Sequence, residues 1–287
     1  MFGLRSDGKR IKTIDPIMKL TPHIMPQRND AMVMSLYDID CKGMDGYIFA
    51  KRKEGLHYTY MDIVIAAMAR GIALRPKLNR FIMNGRIFKR NDIQIAFTLK
   101  KALVDSADET TVKLTFKGTE TLADVHEMLQ KEIDANSKVV AVNDTDKLAK
   151  LLTIVPNFMI KFLIGCLKFM DKHGMLPKSV INLSPFHTSL FITNMKSIKM
   201  NYVFHHIYNF GTTSMFISMG KEKYEPMVLD ADEEKIGVAK ILKLGIVIDE
   251  RICDGLYYGN SFREMKRLLD NPFLLDTPLE KRVEDQK

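Results

Sequence analysis

The chain has 287 residues, with 43 Lys plus Arg against 35 Asp plus Glu, and a formal charge of +8. Hydrophobic residues make up 46% and charged residues 27%, which excludes a disordered or fibrous chain and leaves ample material for a core. The cysteines, Cys41, Cys166 and Cys253, lie far apart with no CxxC pair; a disulfide framework and a zinc ribbon are therefore excluded, no metal is expected, and the pattern fits a reducing compartment.

The first residues, Met1 to Arg10, carry no apolar run, so a secretory signal is not expected and a cytoplasmic location is. Gly3 to Gly8-Lys9 nearly spells a Walker A loop, but Arg10 stands where Ser or Thr should be and no strand precedes it. Residues 31–40 read as a strand. Thr59 with Asp62 forms a capping box that opens a helix running to about Leu74, before Pro76. Phe81–Met83, Asn84-Gly85 and Arg86–Phe88 spell a hairpin. Two alternating strands follow, at 93–99 and 111–116. Thr121 with Asp124 caps a second helix whose Leu122, Val125, Leu129 and Ile133 share a stripe.

Residues 144–173 read as a helix kinked at Pro156 and closed near Gly174. Its apolar stretch, Leu151 to Met170, is interrupted by Pro156, Lys161 and Lys168. A membrane span needs about 20 mostly apolar residues, so this is read as a buried or amphipathic helix, with no membrane partner. Strands recur at 190–194, 214–219, 225–229 and 238–248, and a last helix follows Gly255. The irregular alternation predicts an α/β chain, a mixed sheet with helices on one face. The basic residues are spread out and no nucleic-acid-binding motif is visible, so no nucleic-acid partner is expected. A small polyanionic ligand suits the charge as well.

Asp249-Glu250-Arg251-Ile252-Cys253-Asp254-Gly255 joins the long apolar strand to the last helix. It resembles the D-H-R-x-x-D-G signature of the catalytic domain of dihydrolipoamide acyltransferases, the acyl-transferring component of 2-oxo acid dehydrogenase complexes. It is also similar to the H-H-x-x-x-D-G of chloramphenicol acetyltransferase. Tyr58 to Asp62 and Arg75 to Asn79 look like that family's first long helix and its P-x-L-N ending. Leu190 to Asn194 is similar to its T-I-S-N strand, and Ser214 to Gly220 to the apolar strand that follows.

The resemblance implies a chloramphenicol acetyltransferase-like mixed sheet flanked by helices, a homotrimer with active sites between subunits, and coenzyme A or an acyl-CoA as substrate. Small-molecule acyl donors and acceptors are the implied partners. It implies an N-terminal arm over 1–20, a catalytic domain over 21–275 and a tail over 276–287, without lipoyl or peripheral-subunit-binding domains. It implies that Thr193 of a neighbouring chain donates to the oxyanion. Asp254 holds the loop by an ion pair, for which Arg28 is the candidate partner.

One position departs from the pattern. Glu250 stands where the family has its basic His. Carboxylates titrate near about 4.3 and imidazoles near about 6.5, a loss of roughly 3 kcal/mol in driving force for taking a proton. A negative side chain also opposes an oxyanion. Activity is therefore expected to be non-standard or lost, the chain in the second case being a ligand-binding or assembly module. A structural ion pair with Arg251 or a Lys is the alternative role for Glu250. His205 and His206 are candidate substitute bases; as strand neighbours they point to opposite faces, so at most one reaches the site. Cys253, beside Ile252, reads as a small buried hydrophobe.

Overall fold

The computed structural model describes residues 5–100, 109–136 and 154–287. In chain order these form β1 (Gly8–Arg10), α1 (Pro16–Ile24), β2 (Met32–Asp40), α2 (Lys42–Lys53), α3 (Tyr60–Leu74), β3 (Arg80–Met83), β4 (Arg86–Arg90), β5 (Ile93–Lys100) and β6 (Glu109–Phe116). Then come α4 (Leu122–Asn136), α5 (Asn157–Lys172), α6 (Lys178–Leu183), β7 (Leu190–Asn194), β8 (Met215–Met219), β9 (Lys223–Asp230), β10 (Lys235–Asp249) and α7 (Gly255–Asp270).

The main sheet runs β2-β10-β8-β7-β5-β6, with β9 also paired to β10. The β5–β7 and β7–β8 pairs are parallel and the others antiparallel, so the sheet is mixed, as expected. β7 and β8 are central and nearly continuous in apolar residues, because both of their faces are covered. β10, with 15 residues, is long enough to pair with β9 at one end and with β2 and β8 at the other.

The core lies between one face of this sheet and helices α2, α3, α4 and α7. α3 is buried along almost its whole length. Thr59 and Asp62 cap it reciprocally, and Gly71 lets α7 approach, since a Cβ there would meet the Met265 side chain at 2.6 Å. On the opposite face, which Lys113 of β6 shares with Ala96, the Lys113 ammonium donates to the carbonyls of Ile181 in α6 and of Ser184 and His187 beyond it. Ala96, Phe191, Phe216 and Val247 form an apolar patch there, with Phe191 and Phe216 stacked at 4.9 Å, and Ile207 lies on it.

The structure differs from the sequence reading in places. α1, α2 and α6 are additional; α2 buries only Met44 and Tyr47, too little for a visible apolar stripe. Pro156 caps the start of α5 and does not kink it, because a helix start needs no proline N–H. Residues 144–153 lie outside the described residues. Residues 201–208 form no strand. The arm and tail are tied to the body: β1 pairs with β4, the Lys12 and Thr13 N–H groups donate to the Lys287 carbonyl, and Arg80 grips Asp285 at 2.6 and 2.7 Å.

Candidate active site

β10 delivers Asp249 to the end of the sheet, where its N–H donates to the Ser214 carbonyl and the Glu250 N–H to that of Ala31, both at 2.9 Å. The Asp249 carboxylate is fully buried. Arg251 reaches back two residues and donates Nε and Nη2 to its two oxygens, each at 2.7 Å, while Nη1 holds the Met25 carbonyl at 2.7 Å. Arg28 adds a second cation, its Nε 3.6 Å from Asp249 Oδ2. Burial pushes the Arg28 guanidinium down to about 10, and its Nη1 and Nη2 donate to the carbonyls of Tyr208 and Ile82. This is a two-armed clamp on one carboxylate, with a geometry that compensates its desolvation.

The clamp fixes the turn and decides which side chain it presents. With 249 and 251 held inward, Glu250 between them faces out and is exposed. Among the described residues its carboxylate has no hydrogen-bond or ion-pair partner, Arg251 being engaged by Asp249. Cys253 is buried, and burial pushes its thiol up to about 12. Asp254 caps α7, accepting the Tyr257 N–H at 2.8 Å, which holds its carboxyl below the usual range. Arg28 and Asp254 do not meet. Asp254 is exposed at the helix start, with Lys77 at 3.7 Å, whereas Arg28 is buried against Asp249.

A cavity of about 280 Å³ opens beside the turn, walled by Met18, Met25, Val33 and Tyr258, with Glu250, Cys253 and Asp254 also in its lining. It is small against the roughly 300–1,000 Å³ of ordinary ligand pockets. Thr193 is not part of it. It is the last but one residue of β7, in register with Ser218, which in turn faces Gly245. From there to Glu250 is five residues of strand, about 16 Å at about 3.3 Å per residue. Within one chain the two side chains are therefore far apart. His205 stacks on Phe216, centroids 4.2 Å apart, over the sheet face opposite the core, and His206 is exposed beside it; neither lines the cavity. Among the described residues no group of three or more His, Cys, Asp or Glu is placed to hold a metal ion.

No family model and no curated protein matches the sequence. Solved structures do match along nearly the whole chain. A probable dihydrolipoamide acetyltransferase from Listeria monocytogenes is 14% identical with a TM-score of 0.56, the match covering 91% of this chain and 94% of that one. Chloramphenicol acetyltransferase matches at 10% identity and a TM-score of 0.56, over 91% and 99%. The chain has the acetyltransferase fold. The cubic core of a pyruvate dehydrogenase multienzyme complex agrees, at 12% identity, a TM-score of 0.52, and coverage of 90% and 88%. In this acetyltransferase fold the motif that carries the resemblance falls on the clamped turn, with Glu250 at the presented position.

Sequence reasoning missed the clamp itself. The Asp-x-Arg spacing at the end of a long apolar strand was its available signal, since two residues apart is the distance at which a strand-end pair shares one side. Met18 and Met25, brought to the cavity by α1 and the loop after it, carried no comparable signal.

Proposed function

We propose that this chain is a cytoplasmic, homotrimeric acyltransferase that takes an acyl group from a coenzyme A thioester and passes it to a small acceptor at Glu250. The observation that carries the reading is the Asp249–Arg251–Arg28 clamp, which spends three buried charges on holding out one side chain at a cavity. Residues 21–275 form the catalytic unit, and a neighbouring subunit completes each site.

A carboxylate at that place suits an amine acceptor better than a thiol or hydroxyl. Its charge draws the ammonium form to the cavity, where the amine gives its first proton to bulk water at the exposed mouth, and the neutral amine so formed needs no further base before it attacks. The nitrogen adds to the thioester carbonyl carbon and becomes strongly acidic as the C–N bond forms. Glu250 takes that proton, which removes its own negative charge from the neighbourhood of the oxyanion. The partner subunit's Thr193 donates its hydroxyl to the oxyanion. The C–S bond then breaks and coenzyme A leaves as its thiolate.

Thiol release from acyl-CoA by the purified oligomer, with amine and thiol acceptors compared, tests this. Glu250→Gln should lower the amine-dependent rate by about 10²-fold or more, the usual contribution of a general base. A rate unchanged by Glu250→Gln would sink the proposal. A second reading, a trimeric ligand-binding or assembly module without catalysis, is favoured by the absence, among the described residues, of any hydrogen bond to the Glu250 carboxylate. Turnover that depends on Glu250 would exclude it.

A further inference from the structure

The α5 helix has 16 residues, most of them apolar, yet the one residue it buries is a carboxylate, Asp171. Phe158, Phe162 and Phe169 are 73%, 69% and 57% exposed. Their spacing puts them within about 40° of one another on the helix surface, at about 100° per residue. Lys161, Lys168 and Lys172 form a strip beside them, and Lys168 and Lys172 are exposed. From Ile154 to Lys178 the only acidic residue is Asp171, so this face presents apolar and positive groups and no free carboxylate.

The apolar face cannot turn inward. Asp171 lies about 200° around the helix from the three phenylalanines. It is fixed there by Arg5 Nη1 at 2.8 Å and by His187 Nε2 at 3.1 Å. Rotating the phenylalanines onto the body would pull a buried carboxylate out of both contacts. Self-association through this face would set the lysine strip against its own copy in a chain already at +8.

We infer that α5 is a membrane-surface helix, which docks the protein on an anionic lipid bilayer with the phenylalanines in the headgroup–acyl boundary and the lysines at the phosphates. An apolar stripe flanked by lysines is the pattern by which amphipathic helices lie in that interface, and the cytoplasmic leaflet carries the matching negative charge. No helix among the described residues is long and apolar enough to cross a membrane, so this is adsorption and not insertion. It revises the expectation of no membrane partner, and it is independent of the chemistry at Glu250.

The full chain is sedimented with vesicles of phosphatidylcholine alone and of phosphatidylcholine with phosphatidylserine. Binding to the anionic vesicles should exceed the neutral ones by about tenfold and weaken with salt. The double variant Phe158→Ser/Phe162→Ser should lose about tenfold of that binding, with circular dichroism and oligomer size unchanged because both rings are exposed. The sequence has no tryptophan, so Phe162→Trp supplies a single fluorophore whose emission should shift to the blue on the anionic vesicles. The inference is overturned by absence of binding, by binding that the serine variant retains, by Trp emission indifferent to lipid, or by serine variants that instead break up the oligomer.

Discussion

Asp249 and Arg251 form a two-hydrogen-bond ion pair, both contacts 2.7 Å, across the single residue Glu250. Because both partners are buried and Arg28 stands behind them, the pair makes the turn rigid and leaves only the middle side chain free to be chosen.

Removing one partner from such a pair leaves an uncompensated buried charge, at a cost of about 3–5 kcal/mol. Asp249→Asn should therefore destabilise the fold by that order in urea unfolding. Glu250→Gln, changing an exposed and unpaired group, should stay within about 0.5 kcal/mol of the parent. Equal effects of the two substitutions would contradict the clamp.

Glu250→His places an imidazole on the same clamped turn. An imidazole is the stronger base by about 3 kcal/mol, so the variant should gain turnover with thiol acceptors and lose preference for amines. The ratio of kcat/KM for the two acceptor types is the measurement, and a ratio unchanged by the substitution would show that residue 250 does not select the acceptor.

Two buried carboxylates should govern acid stability. Burial alone would raise Asp171, but the His187 hydrogen bond and Arg5 hold it below the usual range, and the Arg5 hydrogen bond and charge do the same for Asp7. Carboxyls depressed in the folded state contribute stability that is complete above their unfolded value, near about 3.9, and is lost as pH falls below it. Unfolding free energy should decline gently as pH falls through about 6.5, where burial keeps His187 from taking the proton it takes when unfolded, and steeply below about pH 4. Arg5→Met should flatten the steep part while lowering stability at neutral pH.

The thiols should separate by burial. Cys253 is pushed up to about 12 and Cys41 is raised by the same desolvation, whereas Cys166 is partly exposed on α5. A maleimide at about pH 8, where only a thiolate reacts, should label Cys166 in the native protein and all three cysteines after unfolding. Rapid native labelling of Cys253 would show that the turn opens.

Much of the fold was legible because it follows from local chemistry. The Thr59–Asp62 box, the Asn84-Gly85 hairpin, the 190–194 strand and the start of the last helix depend on residues within a few positions of one another, and each lies where the sequence puts it. α2 was not legible: Gly43 and Gly46 weaken its propensity, and what holds it is packing on α7, where a Cβ on Gly43 would strike the Asp270 carbonyl.

At the site, the order of residues by itself determined that an acidic side chain, Glu250, stands between Asp249 and Arg251 at the end of a long apolar strand. It also determined that strand leads to turn and turn to helix there. Tertiary structure alone decided the pairings. Arg28 is 221 positions from Asp249 in sequence, and it went to that carboxylate and not to Asp254, because the first is sealed in the interior, where an unpaired charge is costly, and the second is hydrated at a helix end. Motif spacing records which groups are near in the chain; desolvation, which only the folded chain creates, chooses which of them must pair.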